Sequence, residues 1–213
     1  SGPGGLAAWL LRKPLVIHEQ NAIAGMTNRL LAKLAVMVLE AFPNAFEPSA
    51  KVLTVGNPVR SEIANLQEPG LRISGRDGPI RVLIVGGSLG ALALNRIVPA
   101  SLARLEGLLD FEIWHQAGRT LEAAEQAYEG TGLKPRLVAF IDDMAEAYGW
   151  ADLVVCRSGA LTVAELAAAG LAAVLVPFPY AVDDHQTVNG DYLVQAGAAV
   201  MFKESELTEE RLA

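Results

Sequence analysis

Short apolar runs alternate with longer mixed stretches along most of this chain. From residue 80 the runs are IRVLIVG (80–86), FEIWH (111–115), RLVAFI (136–141), DLVVC (152–156), AAVLV (172–176) and AAVMF (198–202). They are short and rich in Val, Ile and Leu, as strands buried on both faces should be. The stretches between them predict helices near 91–106, 119–129, 143–149, 161–169 and 187–196. Gly170 and Gly197 fall where helix C-caps belong. Strands alternating with helices imply parallel pairing through right-handed crossovers, so the class is α/β with a doubly wound sheet.

The first part of the chain is sparser. LVIHE (15–19), VMVLE (36–40) and KVLTV (51–55) predict strands, with helices at 4–11 and 25–34. That is too little for a complete doubly wound domain. The opening glycine-rich loop also enters a helix with no strand feeding it, which a βαβ unit needs. The expectation is that further sequence, upstream of Ser1, belongs to this unit. LQEPGLRISGRDGP (66–79) is rich in Gly, Pro and charge and lacks an apolar period, as a linker does. The predicted organisation is therefore a partial domain at 1–65, a linker at 66–79 and a second domain at 80–213.

Composition narrows the function classes. With 52% hydrophobic and 19% charged residues the chain can bury a core. A formal charge of −7 without a basic run argues against a general nucleic-acid partner. Cys156 is the only cysteine, so neither an internal disulfide nor a cysteine zinc cluster can form. It sits inside a strand-like run and reads as a buried core residue in a reducing compartment. The longest apolar stretch, LAAAGLAAVLVPFP, is too short to cross a bilayer and is broken by Gly170 and Pro177. SGPGG lacks the basic and apolar segments of a signal peptide.

Several junctions carry candidate chemistry. In VGGSLGA (85–91) a strand meets a glycine turn and a helix start. Gly86, Gly87 and Gly90 would let backbone approach a phosphate or diphosphate, although glycines also serve plain tight turns. The pattern is not GxGxxG, and no P-loop lysine follows. The same letters satisfy GxSxG, so a serine hydrolase with Ser88 as nucleophile, Asp142 or Asp152 and His185 is a rival from another reaction class. In RSGALTVAE (157–165), Thr162 and Glu165 fit a capping box. The turn also ends a parallel strand, where such sheets bind ligands, and a carboxylate there can accept from a ribose diol. Gln186 and Asn189 suit sugar hydroxyls, or belong to a polar surface loop in which Asp183 or Asp184 caps a helix. Asp142–Asp143 reads first as a cap. Asn21 follows a strand, and Arg60 lies at a strand-to-helix junction where an anion would sit. No Asp-x-Asp pair or His spacing suits a metal. AAWLLRK (7–13) joins Trp9, Leu10 and Leu11 to Arg12 and Lys13, as either a buried helix face with a cationic end or an anionic-surface anchor.

In this order and spacing, SGPGG, HEQNAIAGMTNRLLAK, VGNPVR, VGGSLGA, FIDDMAEAY, RSGALTVAELAAAG and DDHQTVN resemble the MurG family. The resemblance runs from Ser1 to the end of the chain. These are bacterial N-acetylglucosaminyltransferases that convert lipid I to lipid II in peptidoglycan synthesis. The resemblance implies two Rossmann-like halves facing across a cleft, of GT-B type, with no cofactor and no metal. It implies that UDP-N-acetylglucosamine binds mainly to the second half. Ile141 would present backbone to the uracil. The turn and helix start Ala160, Leu161 and Thr162 would meet the diphosphate, Glu165 the ribose and Gln186 the donor sugar, with Val163 and Ala164 among the substrate-binding positions. Ser88, Asn21 and Arg60 match further donor-binding positions. The implied reaction is inverting, with the acceptor hydroxyl attacking opposite the leaving UDP. Trp9, Leu10, Arg12 and Lys13 would touch an anionic membrane, placing the enzyme peripherally on the cytoplasmic face of the bacterial inner membrane. The family's N-terminal glycine loop, with its proposed histidine base, has no match here. Its expected place is upstream of Ser1, and neither His18 nor His115 replaces that histidine. Weak or incomplete donor binding and little or no transferase activity are therefore expected from these residues alone, and a non-catalytic nucleotide-sugar module is a third reading.

Overall fold

The structure, a computed structural model, describes residues 2–87, 90–181 and 184–213. It contains two parallel sheets. The first has the order β1 (Val16–Glu19), β2 (Met37–Glu40), β3 (Val52–Thr54). Before and between these strands run α1 (Gly2–Leu10) and α2 (Met26–Ala32). Ser1, upstream of which the family's glycine loop and base are expected, lies outside the described residues. From Gly2 onward the opening glycines are helical, as the first turn of α1, where the sequence suggested a loop leading into a helix at residue 4. Ile17, Leu31, Ala35 and Val38 form the core of this half, and the bare Cα of Gly5 lets α1 sit close against the Leu31 side chain, which a Cβ there would meet at 2.7 Å. Two buried carboxylates end adjacent strands. Glu19 accepts from the backbone of Asn21 and Gly25 and from Asn28, at 3.0, 3.1 and 2.9 Å. Glu40 accepts from Phe46 N–H at 3.1 Å and the Thr54 hydroxyl at 2.8 Å. Both therefore fold the loops that follow their strands, which offsets the cost of burying charge.

The second sheet has six strands: β4 (Ile80–Val85), β5 (Phe111–Gln116), β6 (Arg136–Val138), β7 (Leu153–Cys156), β8 (Ala172–Leu175) and β9 (Ala199–Met201). Its order is β6-β5-β4-β7-β8-β9, and every neighbouring pair is parallel. One face packs α5 (Leu92–Ala103) and α6 (Leu121–Tyr128) over Val82, Ile84 and Ile113. The other packs α7 (Met144–Trp150) and α8 (Ala160–Ala169) over Leu83, Trp114 and Val154, with Leu193 of α9 (His185–Gln195). Phe42, and Ile63 from the single turn α3 (Ser61–Ala64), join this second core. Cys156 lies inside it, and burial pushes its thiol up to about 12.

The predicted strands all occur, most of them trimmed by one to three residues, while β5 runs one residue further, to Gln116. The largest change is at 136–141: pairing stops at Val138 because Gln116 reaches across to Ala139 O at 2.9 Å and bends the chain away. The stretch expected to be a structureless linker contains a one-turn helix, α4 (Pro69–Ile73). Arg72 donates to Ala169 O and Tyr148 O, the last carbonyls of the helices beneath it. Gly170, in the left-handed conformation at φ +61°, ends α8, and a Cβ there would strike Pro69 at 2.5 Å. A last turn, α10 (Glu209–Leu212), also escaped the sequence pattern.

Candidate functional site

The chain runs from β4 out to β5 and β6, then returns to β7 on the other side of β4. The reversal point lies between β4 and β7, where doubly wound sheets open a crevice at their carboxyl ends. The glycine turn after β4 and the Arg157–Gly159 turn after β7 flank it. Loops after β1 and β3 of the first sheet meet the same region. Asn189 of α9 accepts from Ala22 N–H at 2.8 Å and donates to Asn21 Oδ1 at 3.2 Å. Asn57 donates to Gln20 O at 2.9 Å and Ala160 O at 3.3 Å. Arg60 binds Glu165 Oε1 through Nη2 at 2.9 Å and Nε at 3.2 Å. Beside Arg60, a cleft of about 380 Å³ is lined by Ile63, Asp142 and Met144. A cavity of about 660 Å³ lies within the first half, against Arg29, Lys33 and Phe46, and shares no lining residue with this crevice.

The start of α8 settles the capping question. Gly159 is the N-cap, extended at ψ 146°, and no side chain caps the first turn. Helix therefore begins two residues before Thr162, which the capping box would have placed outside it. Thr162 is the third helical residue, and Glu165 faces the crevice instead of reaching back to the cap. Its Oε1 is held by Arg60 and its Oε2 by the Tyr148 hydroxyl at 3.2 Å. An uncapped first turn leaves donors and the positive end of the helix dipole pointing into the crevice.

The glycine turn is built largely by its own scaffold. Gln116 accepts from Gly87 N–H at 2.9 Å and donates to Gly87 O at 3.1 Å. A Cβ on Gly90, at φ +79°, would stand 2.4 Å from Thr120 Oγ1. Gly87, at φ +76°, faces open space. Ser88 lies outside the described residues. Behind the turn, Asn95 donates to Ala117 O at 2.9 Å and Thr120 Oγ1 at 2.7 Å. It accepts from His115 Nε2 at 3.0 Å, so Nδ1 accepts from the Tyr128 hydroxyl at 3.1 Å. Burial lowers the His115 pKa to about 4 and raises that of Tyr128. This imidazole is a neutral scaffold group.

The remaining candidates divide. Ile141 is buried after β6, and Asp143 caps α7 by accepting from Glu146 N–H at 2.9 Å. Gln186 Oε1 accepts from Phe178 N–H at 2.9 Å. Asp184 takes the hydroxyl of Thr187 at 2.7 Å and no backbone amide, so it is not a conventional cap; Asp183 lies outside the described residues. Asn189 is fully buried in the seam between the halves, away from any surface a sugar could reach. α1 is not a buried face: only Gly5 is buried, while Trp9, Leu10 and Leu11 are 50, 65 and 69% exposed. Asp152 cannot serve a hydrolase triad. It immediately precedes β7, at the amino ends of the strands and so at the opposite end of the sheet from the glycine turn, accepting from Arg81 N–H at 2.8 Å and paired with Arg76. Tyr148, Asn57 and Arg157 were missed. Arg157 donates to Val176 O and Pro177 O at 3.1 and 3.0 Å and pairs with Glu204, tying the end of β7 to that of β8. Among the described residues no cluster of three His, Cys, Asp or Glu is placed to hold a metal, and no helix is long and apolar enough to cross a membrane.

Known proteins match this arrangement. The model of the glycosyltransferase family 28 C-terminal domain matches residues 81–213, and that of its N-terminal domain residues 1–39. The UDP-N-acetylglucosamine–N-acetylmuramyl-(pentapeptide) pyrophosphoryl-undecaprenol N-acetylglucosamine transferase of Marinobacter nauticus is 58% identical over all of this chain and 59% of its own length. That of Nitrosococcus oceani is 59% identical over all of this chain and 60% of its own. The chain thus spans three-fifths of the curated relatives it matches. The crystal structure of Acinetobacter baumannii MurG is 48% identical, with a TM-score of 0.88 over 99% of this chain and 59% of that one. A kitacinnamycin glycosyltransferase, at 16% identity and a TM-score of 0.70, shares the fold. The resemblance to the MurG family and the Rossmann-like, GT-B-type class both hold. Given the parallel sheets, the crevice at their carboxyl ends and a family model covering most of its length, the chain belongs to glycosyltransferase family 28.

Proposed function

We propose that this chain forms the UDP-sugar-binding part, and a portion of the acceptor side, of an inverting N-acetylglucosaminyltransferase. The enzyme moves N-acetylglucosamine from UDP-N-acetylglucosamine to the muramyl sugar of lipid I, giving lipid II. The observation that carries this reading is the uncapped start of α8 at the reversal point, with Glu165 one turn further along the same helix. Amides near Ala160, Leu161 and Thr162 bind the diphosphate. Glu165 accepts from the ribose diol, Ile141 backbone meets the uracil, and Gln186 reaches the sugar. Asn21, Arg60 and Ser88 complete the donor side. As the acceptor oxygen bonds to the anomeric carbon, the bond to the diphosphate breaks and charge builds on UDP. Preorganised helix amides stabilise that charge. The proton of the acceptor passes to a base that neither His115, buried and neutral, nor His18, bonded to Gly56 O at 3.1 Å, supplies.

Residues 1–65 belong to the acceptor and membrane side in this reading, and 80–213 to the donor side. The exposed apolar flank of α1, followed by Arg12 and Lys13, supports peripheral docking on an anionic lipid surface at the cytoplasmic face. The test of the donor reading is calorimetric titration with UDP-N-acetylglucosamine. The chain should bind it, and Glu165→Ala should weaken binding by about tenfold or more while melting remains cooperative. Absence of binding, or equal affinity in the variant, would refute the reading.

A further inference from the structure

We infer that Tyr148 is a positioning residue: its hydroxyl fixes the Glu165 carboxylate and thereby sets the preference of this site for a nucleoside diphosphate with an intact ribose diol. The inference rests on the donor reading of Glu165 and extends it to a residue that never faces the crevice. Tyr148 projects from α7 and is 1% exposed, its ring packed in the core shared with Ala147, Val154 and Val163. That core needs the ring but not the hydroxyl; phenylalanine would fill nearly the same volume. A buried hydroxyl costs stability unless it is bonded. Here it donates to Glu165 Oε2 at 3.2 Å, across the contact between α7 and α8.

The consequence falls on the carboxylate. Glu165 has a flexible side chain that an exposed helix flank would leave among several rotamers. With Oε2 anchored from behind, Oε1 is the oxygen turned toward Arg60 and the crevice. A diol arriving there meets an acceptor already in place, so little ordering entropy is lost on binding. The phosphate and base contacts do not pass through Tyr148, so its effect should be confined to the sugar hydroxyls.

The test titrates the full 213-residue chain and its Tyr148→Phe variant with UDP and with 2′,3′-dideoxy-UDP, alongside thermal melts. The unaltered chain should prefer UDP. Tyr148→Phe should weaken UDP by about tenfold and the dideoxy analogue by less than about twofold. In a Glu165→Ala background the same change should have no further effect on that ratio, since the two residues act as one unit. Equal weakening of both ligands, or of neither, would overturn the positioning role and leave Tyr148 as core packing. A chain that binds UDP and the dideoxy analogue equally well before any substitution would instead overturn the ribose role of Glu165, and this inference with it.

Discussion

His115 shows how much a single residue can be decided by its surroundings. Flanked by Asn95 and Tyr128 and sealed from water, it stays neutral in the folded chain, with its pKa lowered to about 4. The unfolded chain regains a value of about 6.5 and binds a proton the native state refuses. Stability linked to this group is therefore fully present above about pH 6.5 and is lost as pH falls toward about 4. The loss should reach about 3 kcal/mol, at 1.36 kcal/mol per pKa unit. Urea denaturation from pH 7 to pH 4 should show it, and His115→Gln should flatten that part of the profile. Glu165, Arg60 and Gln186 stood out in the sequence because they are polar letters in or beside the turns and helix starts that follow strands. Tyr148, Asn57 and Asn189 owe their roles to partners 17 to 168 residues away, which no local pattern encodes.

Elements follow their sequence where apolar period decides and depart where a backbone angle does. Strands β4 to β9 were readable from short apolar runs. The start of α8 fell one residue before the predicted 161, but its cap was misread: Thr-x-x-Glu forms a capping box only if the Thr itself stands outside the helix, and here the extended Gly159 is the N-cap and Thr162 is helical. α4 was invisible because one turn carries no period and is anchored through its own Arg72 to carbonyls near the ends of α7 and α8. At the glycine turn the same logic makes a graded prediction. Gly90→Ala places a Cβ 2.4 Å from Thr120 Oγ1 and 2.9 Å from Ala117 O at a positive φ. It should cost about 2–4 kcal/mol in urea denaturation, as strain and displaced neighbours add. Gly87→Ala meets open space and should cost only the backbone penalty of about 1 kcal/mol.

Over the whole molecule, the two sheets meet through a few polar bonds and one shared core. Asn189 is central, because its amide pairs both Ala22 N–H and Asn21 Oδ1. Asn189→Ala leaves a shielded N–H unpaired, at a cost of about 1–3 kcal/mol. Hydrogen exchange at residues 20–25 should accelerate while β4 to β8 stay protected; unchanged exchange in that loop would show that the bond contributes little. The alternation of strand and helix predicted each sheet but not how they join, since Phe42 and Ile63 entering the second core is a three-dimensional fact without a sequence period. The seclusion of Cys156 has a practical side. With its native thiol shielded and poorly ionised at neutral pH, the chain offers almost no background to maleimide dyes. A cysteine introduced on the surface of each half would take up fluorophores selectively, so the spacing of the halves could be followed by energy transfer as a nucleotide is added.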